Sequence, residues 1–382
     1  MIYLDNAATS FPKPESVYQA LDRFARTDLA NPGRAGHKMA LASERVLDDC
    51  RHRLNQLFHG VGPERFVFTL NCTDALNMAF KGVLRQGDHV VTSNLEHNSV
   101  SRPLRRLELD GFITLTRLTA DGGGTLDPDA VRKAVTPKTR LLALTHASNV
   151  TGTIQPIAEF GKIAREHDAL FLVDAAQSAG AVPIDVQALG IDLLAFPGHK
   201  SLMGPTGTGA LYVSPRAKVG VWREGGTGGD SASETQPTEF PYFLEGGTPN
   251  VLGVAGLAAG IQYVEQQGIE TIRQHEVDLT DRLRQKLDEI GGFTVFGHAD
   301  PQRRVGTLSF ACTSNDALTP MVLGGILDNT FEIAIRPGLH CAPYIHRALG
   351  TFPDGAVRVS PGPFSTTADI DRLAAALAEI VG

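Results

Sequence analysis

A recurring pattern in the sequence sets polar, chemically able side chains directly after apolar runs. Thr73 follows "FVFTL", His97 follows "HVVTS", Asn149 follows "LLALTH", Asp174 closes "ALFLVD" and Lys200 follows "DLLAF". Asp174 ends an apolar run and is followed by small residues, a dry place where an isolated carboxylate is costly and requires a cation. Lys200 stands in "PGHKSLMGPTGTG", between two apolar runs. Enclosed there, its amine should fall from about 10.4 toward neutrality and become a nucleophile toward a carbonyl. An imidazole from His97 and an amide from Asn149 complete a set that could hold a flat polar ligand. The glycines after Lys200 are not a phosphate loop of the Walker type, because there the lysine follows the glycines.

These residues need a frame that brings them to one edge. The apolar runs at 66–70, 89–93, 112–118, 141–146, 169–174, 192–196 and 210–213 are nearly continuous, as strands covered on both faces should be. Helical patterns lie between them, at 73–84 and at 156–167, the second with Pro156 at its first position. The alternation predicts an α/β domain with a mainly parallel sheet. Ligands collect at the carboxyl ends of such strands, where the polar residues fall. An aldehyde cofactor with a protonatable ring nitrogen satisfies Lys200 and Asp174 together. Pyridoxal 5'-phosphate forms a Schiff base with lysine and pairs its pyridinium with aspartate.

The rest of the chain is organised around that unit. A segment at 225–250, rich in glycine, proline and polar residues, reads as a long functional loop. A helical stretch over roughly 251–290 follows, then "FTVFG", "VGTLSFA", "FEIAI" and "AVRVS" interleaved with helices, a smaller α+β domain. Ser365 or Thr366 can cap the last helix. The expected limits are 1–14 for an N-terminal segment joining the site, 15–250 for the large domain and 251–382 for the small one.

Composition narrows the function. The 382 residues carry 35 basic and 42 acidic side chains, a formal charge of -7, without a run of like charge that could serve nucleic acid or a membrane surface. No apolar segment approaches the length of a membrane span and the N-terminus lacks a leader pattern, so the expected location is cytoplasmic. Cys50, Cys72, Cys312 and Cys341 show no C-x-x-C pair. His146, His340 and His346 with Cys341 lack the spacing and the fourth ligand of a metal site, so no metal is expected.

Six motifs in order, "YLDNAATSFPKP", "SNLEHNSV", "SNVTGT", "LVDAAQSAGAVPIDV", "DLLAFPGHKSLMGPTGTGALYV" and "RPGLHCAP", resemble the cysteine desulfurase family of the class V aminotransferase group, the type with a short cysteine loop. The resemblance covers nearly the whole chain and implies the pyridoxal phosphate fold of type I, with a large seven-stranded sheet domain and a smaller α+β domain. It implies that Lys200 carries the cofactor, Asp174 holds the pyridinium, His97 stacks on the ring and Gln177 reaches the ring's phenolic oxygen. Cys72 and Thr73, with the amides that open their helix, and His199 would hold the phosphate. Asn149 would face the ring oxygen and the substrate carboxylate, which Arg358 would clamp, beside Asn6 and Ala7. Gly247 and Thr248 would reach the phosphate of a neighbouring subunit in a homodimer. Pro197 stands where many members have a serine and Cys72 where many have threonine, which shifts phosphate binding toward His199, Thr73 and the partner subunit.

Cys341 selects the reaction within that resemblance, because the cofactor alone serves many. His340 and Arg336 lie near it in sequence and favour a thiolate. The implied reaction converts L-cysteine to L-alanine, with sulfur held as a persulfide on Cys341 for an acceptor protein. Selenocysteine lyase and other class V transaminases or lyases would share the cofactor residues, and a sulfur-carrier or partner-binding scaffold is the non-enzymatic alternative.

Overall fold

All seven runs form one sheet in the computed structural model, which describes residues 1–33, 36–228 and 232–382. The strand order across it is Phe66–Thr69, Gly209–Val213, Leu193–Pro197, Leu170–Asp174, Thr139–Thr145, Asp88–Ser93 and Ile113–Leu118. Gly209–Val213 runs antiparallel to both its neighbours, and every other pairing is parallel. Continuous apolar sequence has a plain cause here. In Leu193–Pro197, Leu194 and Phe196 enter the core on one face while Leu193 and Ala195 enter the core on the other. Helices Cys72–Val83 and Asn98–Leu109 cover the second face through Leu76, Phe80 and Leu104. Lys38–Leu57, Ile157–Glu166 and Val251–Gln267 cover the first.

The smaller body is a four-stranded antiparallel sheet in the order Arg336–Gly338, Ala356–Val359, Leu308–Cys312 and Phe293–Phe296. Helices Ile269–Ile290, Pro320–Phe331 and Thr367–Val381 close a core of its own, containing Leu283, Phe310, Leu327, Val357 and Leu373. The last helix begins with a capping box between Thr366 and Asp369.

Several local expectations are corrected. The stretch 251–290 is two helices, broken at Gly268, whose φ of +84° suits glycine. Val254, Leu257 and Ile261 before the break join the large core, and Leu279, Leu283 and Leu287 after it join the small one. The stretch is thus divided between the two cores at Gly268. Pro156 precedes the helix Ile157–Glu166 as its cap residue, and does not open it from within. "FEIAI" gives only the two-residue strand Ile333–Ala334, which pairs in parallel with Ile2–Tyr3 and not with the small sheet; the small-sheet strand is the next one, Arg336–Gly338. Of the segment 225–250, residues 229–231 lie outside the described residues, and the remainder contains neither helix nor strand.

Candidate active site

Parallel register delivers the polar residues to one rim. Thr145 and Asp174, the last residues of their strands, are aligned with each other, and Asp174 with Ala195, two residues before the end of the next strand; the chain leaves these strands through Asn149, Gln177 and Lys200. A pocket of about 200 Å³ opens at this rim, lined by Cys72, His97, Asn149, Asp174, Lys200 and Arg358 among others. Thr73, Gln177, His199 and Ala7 line it as well. Ten of the fourteen expected site residues therefore meet in one place, although they span the chain from residue 7 to residue 358; Cys341 is not among the lining residues.

Electrostatics at the rim follow from burial. The Lys200 amine is pulled down to about 8 by loss of solvent, with Arg358 adding to the effect. Among the described residues it has no hydrogen-bond partner. The Asp174 carboxyl is pushed up by burial and drawn back by the Ala176 amide, 2.9 Å from Oδ1, by Lys200 and by Cys72, whose Sγ lies 3.5 Å from the same oxygen. Burial raises the Cys72 thiol well above its usual range, so it acts as a neutral donor. Asp174 caps a turn here; the chain beyond Ala175 does not form a helix.

His97 occupies the cap position of helix Asn98–Leu109, and its Nδ1 accepts the Ser99 amide at 3.0 Å. A backbone amide can only donate, so the neutral ring carries its proton on Nε2. Burial, then Lys200, hold the ring at about 4, hence neutral at physiological pH. The Ser99 hydroxyl lies 2.8 Å from the same Nδ1 and 2.7 Å from Thr73 Oγ1, which ties His97 to the start of helix Cys72–Val83. Asn71 caps that helix through the Asp74 amide at 2.9 Å. The first turn, pointing at the pocket, is an anion site of the usual kind. His199 is held at about 4, chiefly by burial, and its Nδ1 is buried without a hydrogen-bond partner.

These groups fit pyridoxal phosphate. A lysine with a lowered pKa, a buried carboxylate with no cation bonded to it, an unsatisfied His199 nitrogen and a helix N-terminus match an aldehyde, a ring nitrogen and a phosphate respectively.

The expected substrate residues are distributed unevenly. Arg358 is buried, donating from one terminal nitrogen to the Asn149 carbonyl at 3.1 Å and from the other to Asp5 Oδ1 at 2.7 Å; only its Nε is unpartnered. Arg336 also lines the pocket, and its Nη2 lies 3.7 Å from Cys341 Sγ. Sequence reasoning noted Arg336 only as a neighbour of the thiol; its place beside Arg358 comes from the antiparallel register of their strands, which the sequence does not announce. Gln177 already donates to the Ala7 carbonyl at 3.1 Å. Asn6 does not reach the pocket. Its amide serves Ser360 O and the Phe11 N–H, and it lines a narrow crevice on the other side of Lys200. Gly247 and Thr248 line a separate cavity of about 320 Å³ that includes Arg51 and Glu245 and shares no lining residue with the first.

Cys341 is exposed and stands in an unusual turn. His340 and Cys341 both adopt left-handed backbone conformations, φ +49° and +56°, which cost L-residues roughly 1–2 kcal/mol each. Two donors from the large body hold them. Asn149 Nδ2 donates to the His340 carbonyl and the Asn98 amide to the Cys341 carbonyl, each at 2.7 Å. The His340 ring adds a bond to the Arg336 carbonyl at 3.0 Å. Among the described residues there is no cluster of metal-ligating side chains.

Comparison with known proteins identifies the family. The family model described as aminotransferase class-V matches residues 2–373. A probable cysteine desulfurase of Methanothermobacter thermautotrophicus is 38% identical, the match covering 100% of this chain and 95% of the relative. A cysteine desulfurase of Escherichia coli O157:H7 is 34% identical, covering 100% and 93%. Among solved structures, the apo cysteine desulfurase of Thermococcus onnurineus superposes with a TM-score of 0.93 at 34% identity, over 100% of this chain and 94% of the other. A cysteine desulfurase of Escherichia coli gives 0.89 at 30% identity, over 99% and 94%. The sheet order and the small domain are thus those of the type I pyridoxal phosphate fold, and the chain belongs to the cysteine desulfurase family of the class-V aminotransferases.

Proposed function

We propose that the protein is a pyridoxal phosphate-dependent cysteine desulfurase that releases L-alanine from L-cysteine and holds the sulfur on Cys341. The observation that carries the reading is a half-buried lysine in the pocket with an exposed thiol just outside its lining, linked through Arg336, which lines the pocket and lies 3.7 Å from Cys341 Sγ. When bound, pyridoxal phosphate supplies an electron sink that weakens bonds next to the carbon bearing the amino group. Lys200, near its titration midpoint at mildly basic pH, would hold the cofactor aldehyde and, once released, would be the base for the Cα proton of the substrate. Asp174 would hold the ring nitrogen, and His97, with its proton on Nε2, would line the ring's side of the pocket. Arg336, with Arg358 behind it, receives the substrate carboxylate. The Cys341 thiolate forms a bond to the substrate sulfur as the carbon–sulfur bond breaks, and proton return to the carbon skeleton completes alanine.

Gly247 and Thr248 serve a second copy of the chain in this reading, across an isologous homodimer, and the persulfide passes to an acceptor protein. No described helix is long and apolar enough to cross a membrane; a cytoplasmic location belongs to the proposal and is checked by fractionation.

The test is direct. Purified protein loaded with pyridoxal phosphate is given L-cysteine or L-selenocysteine, and alanine, keto acid and enzyme-bound persulfide are measured. Alanine with persulfide on Cys341 is expected from cysteine. A keto acid product would move the protein to the transaminases, alanine from selenocysteine alone to the lyases, and a protein that takes up no cofactor to the scaffolds.

A further inference from the structure

The segment that follows the strand Ile2–Tyr3 brings four donors to a single carbonyl, the Ser10 hydroxyl, at 3.2 Å, being shared with the next one. Ser10 N–H and Thr9 Oγ1 each donate to the His199 oxygen at 3.1 Å, and Lys13 Nζ donates to it at 2.9 Å. Lys13 also donates to Ser10 Oγ at 2.6 Å, and that hydroxyl shares its own proton with the Lys200 carbonyl at 2.9 Å. The carbonyls of His199 and Lys200 belong to the two peptide planes that flank the Lys200 Cα. Fixing both planes fixes the direction in which the Lys200 side chain leaves the backbone.

Lys13 is an odd residue to find there. It is half-buried, and among the described residues no carboxylate lies within ion-pairing distance of it. Burial lowers its amine to about 8. A lysine drawn from water without an acid partner has only carbonyl and hydroxyl dipoles in exchange for its hydration. Such an arrangement is expensive unless the carbonyls it holds need holding. The charge also reaches the His199 ring, where it helps keep the imidazole neutral.

We propose that Lys13, acting through Ser10 and the His199 carbonyl, is a positioning residue that aims the Lys200 amine into the pocket. The inference rests on Lys200 being the cofactor lysine, and its first measurement does not. Full-length wild type, Lys13→Met, Lys13→Arg and Ser10→Ala are compared without cofactor by hydrogen exchange, reading the Ser10 amide and the peptide over 198–203. Lys13→Met should speed exchange of the Ser10 amide about tenfold, the worth of a charge-assisted hydrogen bond, with smaller change in the core strands. Pyridoxal phosphate is then added and the growth of the visible band is followed, with borohydride trapping to locate the adduct. Lys13→Met should form the Lys200 adduct about tenfold more slowly, and Lys13→Arg, which keeps a charged donor, should recover most of the rate. Ser10→Ala keeps the charge and should show an intermediate loss, so the claim survives a Lys13→Met protein that does not fold. Unchanged exchange and unchanged adduct rate in Lys13→Met or in Ser10→Ala would overturn it, as would an equal loss in Lys13→Arg. Altered exchange with no adduct at Lys200 even in wild type would instead overturn the assignment of Lys200 and leave the clamp standing.

Discussion

The Lys200 corner and the Cys341 corner of the pocket are held by opposite means. Lys200 follows a strand buried on both faces, and its own carbonyl and that of His199 are held by the N-terminal segment. Cys341 sits in the small body, on two consecutive left-handed residues, with its thiol exposed. The first corner is dry and rigid by packing; the second is open and rigid by two hydrogen bonds against strain. The difference follows from the chemistry each would do. A lysine must lose its proton, which burial promotes, whereas a thiol that hands sulfur to another protein must remain reachable.

The sharpest way to break this comparison is to remove each reactive atom in turn. Lys200→Ala should lower alanine formation by roughly 10²–10⁴-fold or more and leave no borohydride-stable cofactor. Cys341→Ala should keep the yellow colour and the spectral response to cysteine while forming no persulfide. Alanine release at the wild-type rate from Cys341→Ala would falsify the division of labour.

A subtler break targets the strained corner alone. Asn98 is the first residue of its helix, a position that accepts proline, and His97 before it already has the extended backbone that proline requires, ψ 156°. Asn98→Pro therefore deletes only the N–H that holds the Cys341 carbonyl. Persulfide formation should fall about tenfold while cofactor affinity and Tm stay near wild type; equal losses in both would mean the two corners are not separable.

The dry corner has a pH signature. With its folded pKa near 8 against an ordinary 10.5, Lys200 binds fewer protons folded than unfolded between those values. Its burial penalty is full below pH 8 and vanishes as pH rises toward 10.5. Lys200→Met should therefore stabilise the cofactor-free protein at pH 7 by about 1–2 kcal/mol, discounted for partial exposure, and by nothing near pH 10.5. Denaturant melts at pH 7 and pH 10 decide this, and a constant gain would show that burial of the charge is not the cause.

The smallest effect concerns stored strain. Glycine tolerates the left-handed region, so Cys341→Gly should be more stable than Cys341→Ala by about 1 kcal/mol. Identical melting curves for these two inactive variants would mean the turn is unstrained.

The dry corner was readable in the sequence and the open one was not. Apolar runs ending in Asp174 and before Lys200 carry a local signal, because a doubly covered strand must be apolar and must end in something polar. Cys341 was legible only through its motif. Its setting depends on Asn98 and Asn149, far away in sequence, and on a conformation that no residue preference announces, since neither His340 nor Cys341 is glycine. Arg336 was passed over for a related reason: its neighbour in the small sheet, Arg358, is close only through antiparallel register. Gly268 lay inside an uninterrupted helical pattern, and only the change of core partners gives it meaning. Asn6 belongs to a matching motif, yet its amide donates to Ser360 and accepts from Phe11, away from the pocket.

That last contact has a consequence for how the molecule comes into being. Asn6 and Ser360 are 354 positions apart, and the strand Ile2–Tyr3 has no pairing partner until Ile333–Ala334 exists. The segment that clamps the Lys200 carbonyls is thus anchored by residues at the far end of the chain. Contacts of such long range form late and slowly, because the loop must close before they reward it. During synthesis the large sheet can fold with Lys200 in place while its orientation is still loose, so competence for cofactor would arrive as a final step, after the small body has docked.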